Sequence, residues 1–297
     1  MSALNTASIA GLLVLCLASA SSLAQDPPAG DAAATKRIPL KTDLLDAAYV
    51  PGLESVVITG QHGVVGQLKV SESAARLELL AKHPDEDFTC LDAISDKLVL
   101  IGSATGKVYS YDGSAVTELA ALSEFNEPVL DISHEGDKIW VVGARGLVAR
   151  SSDGKTFETV EIRDVTQPEA AFPGGQPADW YFGVSNIDPE SVKFNATVGG
   201  KPAVADTDYT FYPDEGFVQV ANALDENPKP TVSFKFNPGP AFRLGDVSWN
   251  VVLVSNGKVT IAGEFGMVLQ SEDNGETWMR RDTRIVPHEP EPAYWLA

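Results

Sequence analysis

Residues 258–278 read KVTIAGEFGMVLQSEDNGETW, and this stretch decides the fold. A β-branched apolar run ends at Gly263, a second glycine follows at Gly266, and a second apolar run leads into a turn of Ser, Asp, Asn and Gly. Short apolar runs split by a glycine corner and closed by a polar turn describe antiparallel strands, not a helix. Working outward, the same run-plus-glycine recurs in ESVVITGQHG, KLVLIGSATG and KIWVVGARG, with first glycines at Gly60, Gly102 and Gly143. The four first glycines are spaced 42, 41 and 120 residues apart, the last being three units of 40. A period of about 40 to 45 residues with four short strands per unit is the mark of a β-propeller blade. Glycine closes each second strand because the tight corner needs positive φ or close backbone approach.

The strands within a unit can be read directly. The third unit offers PVLDIS, KIWVVGA, LVARSS and FETVEI, and the last offers SWNVVLV, KVTIAG, MVLQSE and TWMRRD, each separated by turn-formers. The expected fold is therefore all-β, a β-propeller of about five to seven four-stranded blades. Blades 1–3 are expected in 44–162 and the final blade in 244–283. Residues 163–243 lack the glycine repeat but carry DWYFGVSNI, SVKFNAT, DYTFYPD, GFVQVAN and TVSFKFN, with hairpin turns at VGGK and PDEG. They read either as two divergent blades or as an inserted antiparallel β-module. Residues 25–43 read as a flexible linker, and 284–297 as a Pro-rich tail whose Tyr294 and Trp295 could dock on the body.

Beyond its glycine corner the last unit holds Ser271, Asp273, Gly275, Thr277 and Trp278 in the spacing S-x-D-x-G-x-T-W. The third unit keeps Ser151, Asp153, Gly154, Thr156 and Phe157 in a turn one residue shorter, and the second keeps Ser110, Asp112 and Gly113. This pattern resembles the Asp-box, or BNR repeat, and the chain resembles the photosystem II assembly/stability-factor-like family of Asp-box propellers. In such a turn the Asp carboxylate accepts backbone N–H groups, Gly takes the left-handed position, and the aromatic ring packs between blades. The resemblance implies a structural, non-catalytic role for these residues. It also implies a non-enzymatic scaffold that binds other proteins, in assembly or stability of an envelope or membrane complex. The basic surface patch associated with the photosynthetic members has no counterpart in a chain this acidic, so the photosystem role is not carried over.

With 22 Lys+Arg against 41 Asp+Glu the net charge is −19 over 297 residues, which excludes nucleic acid and anionic lipid as electrostatic partners. A protein partner is expected, with basic segments favoured. The apolar run Ile9–Ala20 followed by SSLA fits a secretory signal peptide over residues 1–24 with cleavage before Gln25, and is too short for a membrane span. The expected location is thus periplasmic or secreted. Cleavage would remove Cys16 and leave Cys90 as the single thiol, so no internal disulfide is expected. His62, His83, His134 and His288 are isolated from one another, so neither a metal nor another cofactor is expected. No GxSxG, P-loop or GxGxxG occurs. The alternative is a sialidase-like glycoside hydrolase, which needs an arginine cluster and a Tyr–Glu pair. Its only trace is the tripeptide Arg37-Ile38-Pro39, where Lys36 stands in place of an aromatic residue.

Overall fold

The computed structural model describes residues 42–70, 75–82, 85–238, 247–281 and 285–287. The expected signal peptide, the Arg37 tripeptide, most of the expected linker, His83, His288, Tyr294 and Trp295 lie outside the described residues.

Three consecutive sheets are antiparallel meanders in strict chain order. The first holds β1 (Leu44–Val50), β2 (Ser55–Gly60), β3 (Val64–Val70) and β4 (Ala75–Lys82). The second holds β5 (Phe88–Ala93), β6 (Val99–Ser103), β7 (Lys107–Tyr111) and β8 (Val116–Ala121). The third holds β9 (Val129–Glu135), β10 (Lys138–Gly143), β11 (Val148–Ser151) and β12 (Glu158–Thr159). ARLELLAK, whose apolar residues have a helical period, is strand β4. The meander recurs near the C-terminus.

Between the repeats come β13 (Val165–Ala171), β14 (Asp179–Tyr181), β15 (Lys193–Asn195), β16 (Thr197–Val198), β17 (Lys201–Pro202), β18 (Tyr209–Tyr212), β19 (Phe217–Val220) and β20 (Thr231–Phe236). The fourth meander follows as β21 (Trp249–Ser255), β22 (Lys258–Gly263), β23 (Val268–Ser271) and β24 (Met279–Arg280), and β25 (Val286–Pro287) ends the described chain. Side by side lie the first strands of the four meanders, β1 against β5, β5 against β9 and β9 against β21, which is how β-propeller blades are arranged.

The corner between second and third strands repeats in all four sheets. The amides of Gln61, Ala104, Ala144 and Glu264 donate to the carbonyls of Asp43, Asp87, Pro128 and Ser248, each just before a first strand. A Cβ on Gly60, Gly143 or Gly263 would collide with that same carbonyl, so close approach is what selects glycine there. Ser103, not Gly102, occupies this position in the second sheet, one residue beyond the glycine that the sequence pattern picks out. The Ser103 hydroxyl instead accepts from the amides of Thr105 (3.3 Å) and Lys107 (3.2 Å), building a different corner. Gly102 is small for another reason: a Cβ there would strike Val129 and Cys90.

Residues 165–236 do not repeat the meander. β15, β20 and β13 form one layer, and β13 meets β24 in parallel at Thr166–Met279, so this layer continues the fourth sheet. β18, β19, β14 and β25 form another sheet, and β16–β17 is a small hairpin turning on Gly199 and Gly200. β13 is not among the strand-like segments read from the sequence. Its Pro168 sits inside a register shift between Gln167 and Ala170, where the ladder asks for no amide donor. β25 lies within the expected tail and pairs Val286 with Tyr181.

Candidate functional site

The Ser–Asp turns join third and fourth strands, at the end of each sheet opposite the glycine corners. Asp273 accepts from the Thr277 amide (2.9 Å) and hydroxyl (2.6 Å), while Ser271 accepts from the Gly275 amide at 2.7 Å. Asp153 accepts from the amides of Lys155 (2.8 Å) and Thr156 (2.7 Å), and Ser151 from that of Gly154 (3.0 Å). Asp112 takes the Ser114 hydroxyl at 2.7 Å and the amides of Ser114 and Ala115. These donors hold each carboxyl down to about 2, led by the Ser114 hydroxyl for Asp112, the Thr156 amide for Asp153 and the Thr277 hydroxyl for Asp273. Carboxylates committed to their own turns are poor acids and bases at neutral pH. Trp278 is buried edge-to-face on Trp140 of the third sheet, with centroids 5.8 Å apart, and Phe157 packs against the aliphatic cluster shared by the second and third sheets.

A second polar device was not legible as a motif. Asp46 on β1 accepts from its neighbour Ala47 (2.7 Å) and from the Leu91 amide of β5 (2.8 Å). Asp131 on β9 repeats this with Ile132 (2.9 Å) and the Val252 amide of β21 (2.8 Å). Register places Cys90 and Val251 at the equivalent positions in the second and fourth sheets. Burial pushes the Asp131 carboxyl up to about 6, the Asp46 carboxyl up, and the Cys90 thiol well up. Where Cys90 replaces the aspartate, His134 and Asp92 close the seam at 2.7 Å, and this hydrogen bond raises the imidazole pKa. His62 donates its amide to Asp87 at 2.7 Å.

Glu86 accepts from the Tyr109 hydroxyl at 3.0 Å and from the Thr105 hydroxyl, with Lys107 at 3.5 Å. A Tyr–Glu pair is one ingredient of sialidase chemistry. Tyr109, however, is buried and its phenol is pushed up to about 12, by desolvation first and then by the Glu86 hydrogen bond. That is the reverse of an activated nucleophile.

At the glycine-corner end an open cleft of about 960 Å³ lies between the loop leading to β9, the corner of the third sheet, the exit from β12, and the approach to β21. Phe125, Arg145, Leu147, Arg163, Pro238 and Trp249 line it. Phe125 stands 79% exposed at the rim. The Ser123 hydroxyl accepts from the amides of Phe125 (3.1 Å) and Glu127 (2.9 Å), folding this loop so that the ring projects. Arg145, in the left-handed region at φ 51°, approaches Glu127 at 3.8 Å, and the Gly146 amide bonds Val247 at 2.7 Å. The cleft has no period in sequence because its residues come from connections, which repeat neither in length nor in composition. Among the described residues no group of three or more His, Cys, Asp or Glu could hold a metal ion, and no helix is long and apolar enough to cross a membrane.

No family model matches the chain, and no curated protein matches it. Among solved structures it is similar to YCF48 bound to D1 peptide, at 16% identity and TM-score 0.35, covering 82% of each chain. It is similar to YCF48 from Cyanidioschyzon merolae at 12% identity and TM-score 0.35, covering 84% of this chain and 88% of that one. The C-terminal WD40 domain of Sif2 gives 14% identity and TM-score 0.35, covering 79% of this chain and 71% of that one. Superposition this loose carries neither a partner nor an activity across to this chain.

Proposed function

We propose that the chain is an exported, non-enzymatic scaffold that binds another protein through the cleft at the glycine-corner end. The observation that carries this reading is the exposed Phe125 ring, which lines a cleft of about 960 Å³ together with Arg145. An aromatic and an arginine flanking a concave apolar floor are the residue types that dominate protein interfaces. With a net charge of −19, encounter with a basic partner is accelerated and salt-sensitive. A photo-crosslinking residue at position 125, used in the envelope fraction, should capture one defined protein. Capture should fall when Arg145→Ala removes the guanidinium from the cleft, and in about 0.5 M salt, where screening reaches only a few ångströms. Crosslinks only to chaperones would overturn the reading. Export is part of the same proposal, and a mature N-terminus at Gln25 in the envelope fraction is its check.

A further inference from the structure

The described meanders form an open arc, and the two ends of that arc match each other. Each sheet shows one face to its predecessor, and on that face register aligns Val99 of the second sheet with Ile139 of the third and Val259 of the fourth. On the neighbouring rung Ile101, Val141 and Ile261 are aligned in the same way. All six are 2% exposed or less, sealed by the preceding sheet. The first sheet carries the same pair, Val56 and Ile58, yet both are only half-buried, and Tyr49 and Leu79 beside them are 61% and 55% exposed. A cleft of about 610 Å³ opens between Tyr49, Val56 and Leu68. At the other end the fourth sheet leaves open the face that every earlier sheet presents to its successor, with Leu253 56% exposed on the same side as Val251 and Ala262. Among the described residues β1 and β21 do not lie side by side as β1 and β5, β5 and β9, and β9 and β21 do.

We propose that a second copy of this chain covers both faces: the fourth sheet of each copy packs on the first sheet of the other, closing a two-fold ring of eight meanders. Such a seam continues a contact the chain already makes three times, between β1 and β5, β5 and β9, and β9 and β21. The open face of the first sheet has the shape that receives the successor-facing side of a repeated sheet, and among the described residues the fourth sheet leaves one such side exposed. Two copies related by a two-fold axis satisfy all four open faces through two identical seams, whereas a single seam would leave a growing filament. Exposed apolar faces of this kind are rare on a monomer.

Sedimentation equilibrium of the full chain should return twice the chain mass at micromolar concentration. Leu79→Glu and Leu253→Glu should each give monomer, with far-UV circular dichroism unchanged because both side chains are more than half exposed. Mixing the two variants should restore one intact seam and hence a heterodimer of lower affinity. This outcome separates pairing of unlike faces from pairing of like faces, in which neither variant would rescue the other. A wild-type monomer, an open ladder of masses, or a dimer indifferent to both substitutions would overturn the proposal. As a second readout, amide exchange in β1 and β21 should slow as protein concentration rises. A rate independent of concentration would count against the ring.

Discussion

The four repeated sheets and the segment from β13 to β20 solve the same packing problem by different chemistry. Between repeated sheets, Asp46 and Asp131 bridge to backbone amides at two of the three seams, and an aligned pair of β-branched residues recurs at each, joined by rings such as Phe88, Tyr109 and the Trp140–Trp278 pair. In the middle segment rings do the filling: Phe182 stacks on Phe211 at 5.4 Å and leans on Phe234 at 5.3 Å, while Phe172 meets Trp180 at 5.4 Å. Where a unit recurs, one aliphatic pair can be reused at every seam, and one polar staple at two of the three. Where a segment is unique, no neighbour has a matching shape, and large aromatic side chains fill an irregular gap. The two regions nevertheless share one core, because Trp140, Trp249 and Ile261 belong to the same buried cluster as Phe182 and Phe234.

The largest expected effect tests whether rings carry the middle segment. Phe182→Ala removes a side chain only 1% exposed and should cost about 3–5 kcal/mol in urea unfolding, the range for a phenylalanine cavity in a core. A loss below about 1 kcal/mol would break the contrast. Next comes the joint between the two regions. Arg280 on β24 is 4% exposed and donates to Gln167 Oε1 of β13 at 3.1 Å and to the Phe182 carbonyl. Arg280→Leu leaves those two buried acceptors unpaired, and about 2–3 kcal/mol should be lost. If the middle segment docked through its rings alone, the same substitution would be close to neutral.

A third prediction separates the regions by pH. The folded pKa of Asp131, about 6, lies above its ordinary value of 3.8, so folding binds this proton more tightly. Its contribution to stability therefore rises as pH falls through 6 and is complete below about 4. His134 acts in the same direction: raised by its bond to Asp92, it stabilises below its ordinary value of 6.5, and that gain is lost as pH rises through the folded pKa. Urea unfolding at pH 7 and pH 5 should show wild type gaining about 1 kcal/mol from Asp131 that Asp131→Asn does not gain. In the middle segment the displaced carboxyls, Asp208 and Asp225, move downward instead, with the Val204 amide holding Asp208.

The strand meander was legible because its causes are local and repeated. Alternation, glycine corners and Ser–Asp turns each act within a few residues, and four copies make the period visible. Ser103 shows the limit: its hydroxyl accepts from two amides in a corner of different shape, so both letter and turn change while the Ala104–Asp87 backbone bond stays. Asp46 and Asp131 look like ordinary solvated carboxylates in sequence, since their partners lie 45 and 121 residues away. β13 is hidden by Pro168, whose missing donor is harmless only because the ladder shifts there. The cleft beside Phe125 is assembled from connections brought together by the arc, and nothing local announces it.

The smallest effect belongs to the Ser–Asp turns, and its sign is opposite to that of Asp131. Asp112, Asp153 and Asp273 are held down to about 2, so the stability they contribute is present above their ordinary value of 3.8 and is lost as pH falls toward 2. Because these carboxylates are solvent-exposed, screening by water and salt keeps each contribution modest. Asp273→Asn keeps an oxygen for the Thr277 amide and offers an N–H to the Thr277 hydroxyl, so melting at pH 6 should hardly change. Between pH 4 and pH 2.5 the variant should lose less stability than wild type. The seams and the turns of one repeated sheet thus pull the pH profile in opposite directions, with a maximum between about 4 and 6. A wild-type profile that falls steadily from pH 7 downward would mean that the buried seam carboxylates are ionised without cost, and the distinction between seam and turn would fail.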